Sequence, residues 1–175
     1  MSSHTEIPSA AALRRVLSFP GLSAPAFAVV APVVCSPNRA ELLIEVRAAG
    51  ISQAGDPCFP GGRIEPGETP AEAAARECAE ELGIRLDPKT FLGQLPTVQT
   101  MLGRRTNVYV CMLSPEDAAE MRLNPSEVSE LLRVPMEFFL ARPDDASFPV
   151  GDHIIWGMTA GAIRHLCGAW RRALQ

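Results

Sequence analysis

Short runs rich in apolar residues predict several strands along the chain. A Val-rich run at residues 26–35 is typical of a strand that is buried on both faces. A second run at residues 41–47 predicts its neighbour, after a turn-forming Ser-Pro-Asn segment. Residues 91–100 and 106–113 predict two further strands, with a hairpin loop at residues 101–105 between them. These four strands are therefore expected to belong to a sheet.

Helical periodicity appears in three other segments. A short helix is predicted from Ser9 to Leu17, and a longer helix over residues 157–174 closes the chain. A short strand is predicted to end at Val134, and another lies before the last helix. Trp156, at the end of that strand, is expected to fill core space.

The most strongly marked helix lies between Thr69 and Gly83. Thr69 and Glu72 form a Thr-x-x-Glu capping box, Pro70 suits the first helical position, and Gly83 suits a left-handed C-terminal cap. One face of this helix is small and apolar, which predicts packing against the sheet.

Three glutamates, Glu77, Glu80 and Glu81, gather on another face of the same helix. Like charges at these spacings repel each other by a few tenths of a kcal/mol per pair. An exposed acidic face is the plain explanation of such a cluster. The alternative is a cation site, because carboxylate oxygens beside the flexible Gly61-Gly62 turn are the ligands that Mg²⁺ or Mn²⁺ prefers.

Bulk composition narrows the class of protein. The chain has 175 residues, 47% hydrophobic residues and a net charge of −4, which predicts one globular domain over residues 1–175. The acidic balance argues against nucleic acid or an anionic membrane as the main partner. The five cysteines show no metal-ligand spacing, and we expect free thiols in the cytoplasm. No signal peptide or membrane span is predicted. Residues 1–7 are expected to be frayed. Both a monomer and a homodimer are compatible with the sequence.

Residues 61–84 match a longer pattern at every fixed position. The matching residues are Gly62, Glu68, Arg76, Glu77, Cys78, Glu80, Glu81, Gly83 and Ile84. This stretch closely resembles the Nudix box, in which a larger apolar residue is usual at the position of Cys78. The resemblance implies an α/β fold, the Nudix α/β/α sandwich with a mixed central sheet. It also implies metal-dependent cleavage of a nucleoside diphosphate linked to another group, which makes a small nucleotide the expected partner.

The expected site residues follow from the chemistry of such a cleavage. Glu77 and Glu81 are the first choice as metal ligands, then Glu80, and then Glu68 and the Gly62 carbonyl. Arg76 is expected to orient and neutralise the carboxylates.

The general base of the expected reaction must be a carboxylate near a bound water. Glu77, Glu81 and Glu127 are all candidates. Glu127 precedes Val128 in a pair that resembles one found in a branch of the Nudix family, and Glu130 is a weaker candidate for the same position.

A second resemblance lies before the box. Leu42, Leu43, Gly55 and the segment Phe59-Pro60-Gly61-Gly62 are similar to the signature of coenzyme A pyrophosphatases, and Arg47 occupies a similar place. The segment Trp156-Gly157-x-Thr159-Ala160 also resembles the end of these enzymes. The chain departs from the signature at three positions, since Ile44 stands for Thr, Ala48 for Ser and Ile51 for an arginine.

Three functional hypotheses follow from these motifs. The first is a pyrophosphatase of coenzyme A or acyl-coenzyme A, with Arg47, Arg63, Phe59 and Arg104 as candidate substrate contacts. The second is a hydrolase of ADP-ribose, another nucleotide sugar or a nucleoside triphosphate. The third is a non-catalytic nucleotide-sensing domain, which the intact acidic cluster disfavours.

Overall fold

A computed structural model describes residues 6–17, 25–96, 98–99 and 105–175 of the chain, with only the backbone for residues 98–99. Arg104 and most of the expected hairpin loop lie outside these residues, as do residues 1–5. Glu6 and Ile7 are held in place, which differs from the expected fraying. The indole N–H of Trp170 donates to the Glu6 carbonyl at 3.2 Å, and Ile7 packs against the core.

The described residues form five α-helices, one 3₁₀ turn and ten strands. The helices are α1 (Ala10–Val16), α2 (Pro70–Leu82), α3 (Pro115–Ala119), α4 (Met136–Leu140) and α5 (Gly157–Ala173), and the 3₁₀ turn is Pro88–Thr90. The strands are β1 (Phe27–Ser36), β2 (Arg39–Arg47), β3 (Pro57–Cys58), β4 (Gly61–Arg63), β5 (Gly93–Gln94), β6 (Val98–Gln99), β7 (Arg105–Leu113), β8 (Val128–Pro135), β9 (Phe148–Val150) and β10 (His153–Ile155).

The main sheet is mixed and is built around β1. Along one edge β1 pairs in parallel with β7. Its last residues pair antiparallel with β2, and its first residues pair antiparallel with β4. The far half of β2 pairs in turn with β3, and β8 pairs along β2. β1 and β2 therefore separate towards one end of the sheet, and the short strands around residues 57–63 pair with the parts that diverge.

Helices cover both faces of this sheet. Val29, Ala31 and Val33 belong to a large core with Ile163 and Trp170 of α5. Val30, Val34 and Leu43 point the other way and pack with Cys78 and Leu82 of α2. Successive side chains of a strand point to opposite faces, so the apolar β1 serves both layers. The expected α/β/α sandwich with a mixed central sheet is confirmed.

Two local expectations were wrong. Trp156 is 45% exposed, and the fully buried tryptophan is Trp170 on the inner face of α5. The strand expected at residues 91–100 is divided into β5 and β6. Pro96 lies between them and has no backbone N–H to continue a ladder.

Two further observations concern the cysteines and the membrane. All five cysteines are free thiols, as expected. Among the described residues, no helix combines the length and the apolar character that a membrane crossing requires.

Candidate metal and catalytic site

Helix α2 presents the acidic residues from a well-defined position. Thr69 accepts a hydrogen bond from the Glu72 amide at 3.3 Å, and the Glu72 carboxylate accepts one from the Thr69 amide at 2.8 Å. This is the predicted capping box. Ala73, Ala74 and Cys78 are buried against the sheet, which fixes the direction of the opposite helix face.

Three carboxylates converge at one end of the sheet. Glu77, Glu81 and Glu127 each offer an oxygen, and these three oxygens all lie within 4.8 Å of one another. Glu77 and Glu81 are one turn apart on α2, whereas Glu127 comes from the segment before β8. The structure therefore brings together both first-choice ligands and the candidate base.

Glu127 reaches the helix because its segment binds the last turn of α2. The Arg122 amide donates to the Leu82 carbonyl at 2.9 Å, and the Asn124 amide donates to the Glu81 carbonyl at 2.9 Å. The Asn124 side-chain amide then donates to Glu127 at 3.0 Å. Gly83 makes this contact possible, since a Cβ at Gly83 would lie 2.9 Å from the Arg122 carbonyl oxygen.

The glycine turn before α2 holds the cluster from the other side. The Gly61 amide donates to Glu81 Oε2 at 2.8 Å. Gly62 packs directly on Glu77, because a Cβ at Gly62 would lie 2.5 Å from Glu77 Cδ. Both glycines allow a close approach that a side chain would prevent.

Arg76 binds the remaining acidic residues of the box. Its guanidinium donates to Glu68 at 2.7 Å, to Glu77 at 3.0 Å and to Glu80 at 3.1 Å. Glu68 and Glu80 are thus ion-paired with Arg76 and are not members of the three-carboxylate cluster. Arg76 has the orienting contacts expected from the sequence, and only Glu77 belongs to both groups.

The electrostatics of the cluster are unfavourable without a cation. Burial, followed by the charge of Glu45, raises the pKa of Glu81 to about 9. Burial also raises the pKa of Glu77, although Arg76 opposes this shift. Glu77 and Glu81 are therefore costly to ionise in their positions.

Glu45 is a further residue of this region that sequence analysis missed. It lies in β2, is fully buried, and its carboxylate accepts a hydrogen bond from the Cys58 thiol at 3.4 Å. Burial raises the pKa of Glu45 to about 7. The available signal is one acidic residue within the otherwise apolar stretch at residues 42–46 of β2.

The four candidate substrate contacts have different positions. Phe59 is 1% exposed and belongs to the core on the α5 side of the sheet, so the expected contact with substrate is wrong. Arg63 is exposed, with its guanidinium 5.8 Å from the centre of the Phe27 ring. Arg47 donates from Nε to the Ser52 carbonyl at 2.8 Å. Arg104 lies outside the described residues.

The donor set fits a hard divalent cation. Three convergent carboxylates supply oxygen ligands and negative charge, which Mg²⁺ and Mn²⁺ prefer over softer donors. A cation there would offset both the burial and the repulsion that raise the pKa of Glu81. The residues able to hold it are Glu77, Glu81 and Glu127.

The sequence also matches known proteins. The NUDIX domain family model matches residues 25–150. The Nudix hydrolase NudL of Photorhabdus laumondii is 30% identical over 154 residues, which cover 79% of this chain and 81% of NudL.

Solved structures share the fold. A MutT protein from Methanosarcina mazei superposes with a TM-score of 0.58 at 22% identity, covering 89% of this chain and 99% of that protein. The NUDIX domain of Shewanella oneidensis NrtR, solved with ADP ribose, gives a TM-score of 0.55 at 18% identity and covers 88% of this chain and 91% of that domain. The family model and the NudL match together show that this chain belongs to the Nudix hydrolase family.

Proposed function

We propose that this Nudix hydrolase cleaves the pyrophosphate linkage of coenzyme A or acyl-coenzyme A, giving 3′,5′-ADP and the (acyl-)4′-phosphopantetheine. The observation that carries the hydrolytic part is the cluster of Glu77, Glu81 and Glu127. The similarity of Gly55 and residues 59–62 to coenzyme A pyrophosphatases supports the substrate. Family membership alone supports the broader class, nucleoside diphosphate derivatives.

The roles of the residues follow from their positions. A divalent cation bound at this cluster would neutralise phosphate oxygens and would lower the pKa of a bound water. Glu77 and Glu81 hold the ligand oxygens from a capped helix, and the Gly61 amide fixes Glu81. Arg76 orients Glu77 and balances part of the acidic charge.

We assign proton abstraction to Glu127. It comes from outside the helix and faces Glu77 and Glu81 across the cluster. The side-chain amide of Asn124 donates to one oxygen of Glu127, which leaves the other oxygen of Glu127 available to a water.

The adenosine 3′-phosphate offers a direct test of the substrate. Only coenzyme A carries this group, so coenzyme A and 3′-dephospho-coenzyme A differ at one position. A charge-assisted contact is worth roughly 1.5–3 kcal/mol, or about tenfold to a hundredfold in kcat/KM. The kcat/KM for coenzyme A is therefore expected to exceed the values for 3′-dephospho-coenzyme A and ADP-ribose. The assay contains Mg²⁺ or Mn²⁺, and the products are identified by mass.

Variants at the candidate arginines identify the residue that binds the phosphate. Arg47→Ala, Arg63→Ala and Arg104→Ala are compared with Arg133→Ala, a control whose guanidinium pairs with Glu41 at 2.9 Å. The contacting arginine is the one whose loss makes the two substrates equal.

Other outcomes would replace the proposal. Equal kcat/KM for the two substrates in the wild type would remove the 3′-phosphate argument. A higher value for ADP-ribose would favour a nucleotide-sugar hydrolase. No turnover on a panel that includes nucleoside triphosphates, with measurable nucleotide affinity, would favour a sensing domain.

A further inference from the structure

Glu45 is a buried carboxylate that the proposed reaction does not use. It is 0% exposed in the middle of the sheet, opposite Cys58 of β3 and Leu131 of β8. It lies on the same face of β2 as Leu43, whose side chain packs against α2. Glu45 therefore points to the layer that contains the metal-binding face of α2.

Only half of this carboxylate is satisfied. Oε1 accepts the Cys58 thiol at 3.4 Å, and a thiol is a weak donor. Among the residues that the structure describes, the buried Oε2 has no hydrogen-bond partner. An unpaired buried polar atom is costly and rare in folded proteins, so its position calls for a ligand.

The charges around Glu45 indicate which kind of ligand is missing. Glu77 and Glu127 both act on the Glu45 carboxylate, and Glu45 is the strongest charge acting on Glu81. Arg47 is the cation that acts on Glu45, and its Nε is already bound to the Ser52 carbonyl. Four carboxylates thus share one region, which favours a positive ion over any anionic or neutral ligand.

We propose that Glu45 is a fourth carboxylate of the cation site, with its unpartnered Oε2 bound, directly or through one water, to the ion that Glu77 and Glu81 hold beside Glu127. Glu45 approaches from the sheet, whereas the other three approach from α2 and the loop before β8. It completes the ligand shell on the buried side. This inference rests on the metal-dependent hydrolysis proposed above, but not on the identity of the substrate.

Binding of Mn²⁺ to the substrate-free chain tests the proposal without any activity assay. Free Mn²⁺ is measured by electron paramagnetic resonance during titration of the chelator-treated protein. Glu45→Gln keeps the size of the side chain and removes its charge, and we expect it to weaken Mn²⁺ binding by about tenfold or more. Glu41→Gln is the matched control, since Glu41 lies on the same strand and pairs with Arg39 and Arg133.

Thermal unfolding gives a second signature that a merely structural role would not produce. At pH 8 the chelator-treated Glu45→Gln chain is expected to melt above the wild type, because a buried and repelled charge has been removed. Added Mn²⁺ should raise the melting temperature of the wild type more than that of Glu45→Gln, since stabilisation follows affinity. If Glu45→Gln fails to fold, Glu45→Met replaces it, since methionine has a similar length and no carboxylate. The same changes in melting temperature are expected for Glu45→Met.

Each outcome decides between the proposals. Weaker Mn²⁺ binding by Glu45→Gln, with unchanged binding by Glu41→Gln, supports the fourth ligand. Equal affinity for wild type and Glu45→Gln, or equal losses in both variants, overturns it and leaves the hydrolytic proposal intact. No Mn²⁺ binding by the wild type overturns both the fourth ligand and the cation site itself.

Discussion

At the residue scale, Glu80 and Glu81 are neighbours in the chain, but they differ in exposure and in their partners. The Glu80 side chain is 50% exposed and pairs with Arg76, whereas Glu81 is 3% exposed and lies in the carboxylate cluster. Glu81→Gln should therefore lower kcat by at least about two orders of magnitude, the scale of one positioned catalytic group. Steady-state kinetics with Mg²⁺ and circular dichroism measure activity and folding.

Glu80→Gln is the matched control, because it makes the same change one position away. We expect a much smaller loss of activity, since Glu80 pairs with Arg76 and does not belong to the cluster of Glu77, Glu81 and Glu127. Equal losses in the two variants would contradict the assignment of Glu81 to the cluster.

Glu127 and Glu130 form a second pair of residues for comparison. Glu127 lies in the cluster. The Glu130 side chain is 55% exposed, and its Oε2 lies 3.0 Å from His153 Nε2. Glu127→Gln should lower the turnover number far more than the melting temperature, because the side chain is placed for proton transfer and not for packing. Glu130→Gln should change both only slightly. Unchanged turnover in Glu127→Gln would assign the base to α2.

The residue types at residues 61–84 predict much of the carboxylate cluster. The positions of Glu45 and Phe59 depend on burial, which the local sequence does not show. The spacing of Glu77 and Glu81 indicated one helix face, and Arg76 has the expected partners. Glu45 resembles an ordinary polar position of a half-exposed strand, and nothing in the neighbouring sequence shows that its side chain is fully buried. Phe59 is a candidate substrate contact because it belongs to the segment that resembles coenzyme A pyrophosphatases, whereas its side chain packs in the core on the α5 side of the sheet.

At the scale of elements, the contact between α2 and residues 122–127 assembles the site. Gly83 ends the helix with φ +73°, and its missing side chain admits Arg122. Gly83→Ala should lower the free energy of unfolding by about 1–2 kcal/mol from backbone strain alone, and more from the contact with Arg122. Urea denaturation measures this loss, and kcat should fall as well, because the displaced segment carries Glu127.

Gly151→Ala separates the two effects. Gly151 has φ +56° and open space around its Cα, so alanine meets strain without a collision. We expect a smaller loss of stability than in Gly83→Ala, and no change in kcat. A similar kcat in wild type and Gly83→Ala would show that the docking contact does not position Glu127.

Helix ends were predictable at this scale, since capping residues act locally. Thr69, Glu72 and Gly83 mark α2 as the structure has it. The strand at residues 91–100 was not predictable in detail, because its interruption depends on how each half meets β7. The docking of residues 122–127 on α2 is likewise a long-range contact with no local signal.

At the scale of the whole molecule, the raised pKa of Glu81 predicts how stability depends on pH. Between the ordinary carboxyl pKa of 4.5 and about 9, the folded metal-free chain retains a proton that the unfolded chain releases. The free energy of unfolding should therefore fall as pH rises through this window, by at most about 1.4 kcal/mol per pH unit for one proton. Urea denaturation in chelator at pH 5.5, 7 and 8.5 measures the slope.

Glu81→Gln supplies the control for this slope, because glutamine does not titrate. Its stability should vary less over the same pH range, and Mg²⁺ or Mn²⁺ should flatten the wild-type curve by holding Glu81 ionised. A wild-type curve as flat in chelator as that of Glu81→Gln would contradict the assignment.

The separation of β1 and β2 has a consequence for the cooperativity of unfolding. The turn at residues 59–62 lies between β3 and β4, and these strands pair with the diverging parts of β2 and β1. Opening the turn would leave backbone groups in the middle of the sheet without partners. Such groups exchange their amide hydrogens only when a large cooperative unit opens. The glycines of the site therefore belong to the same unfolding unit as the core. The positions of the site residues are accordingly fixed by the stability of the whole domain.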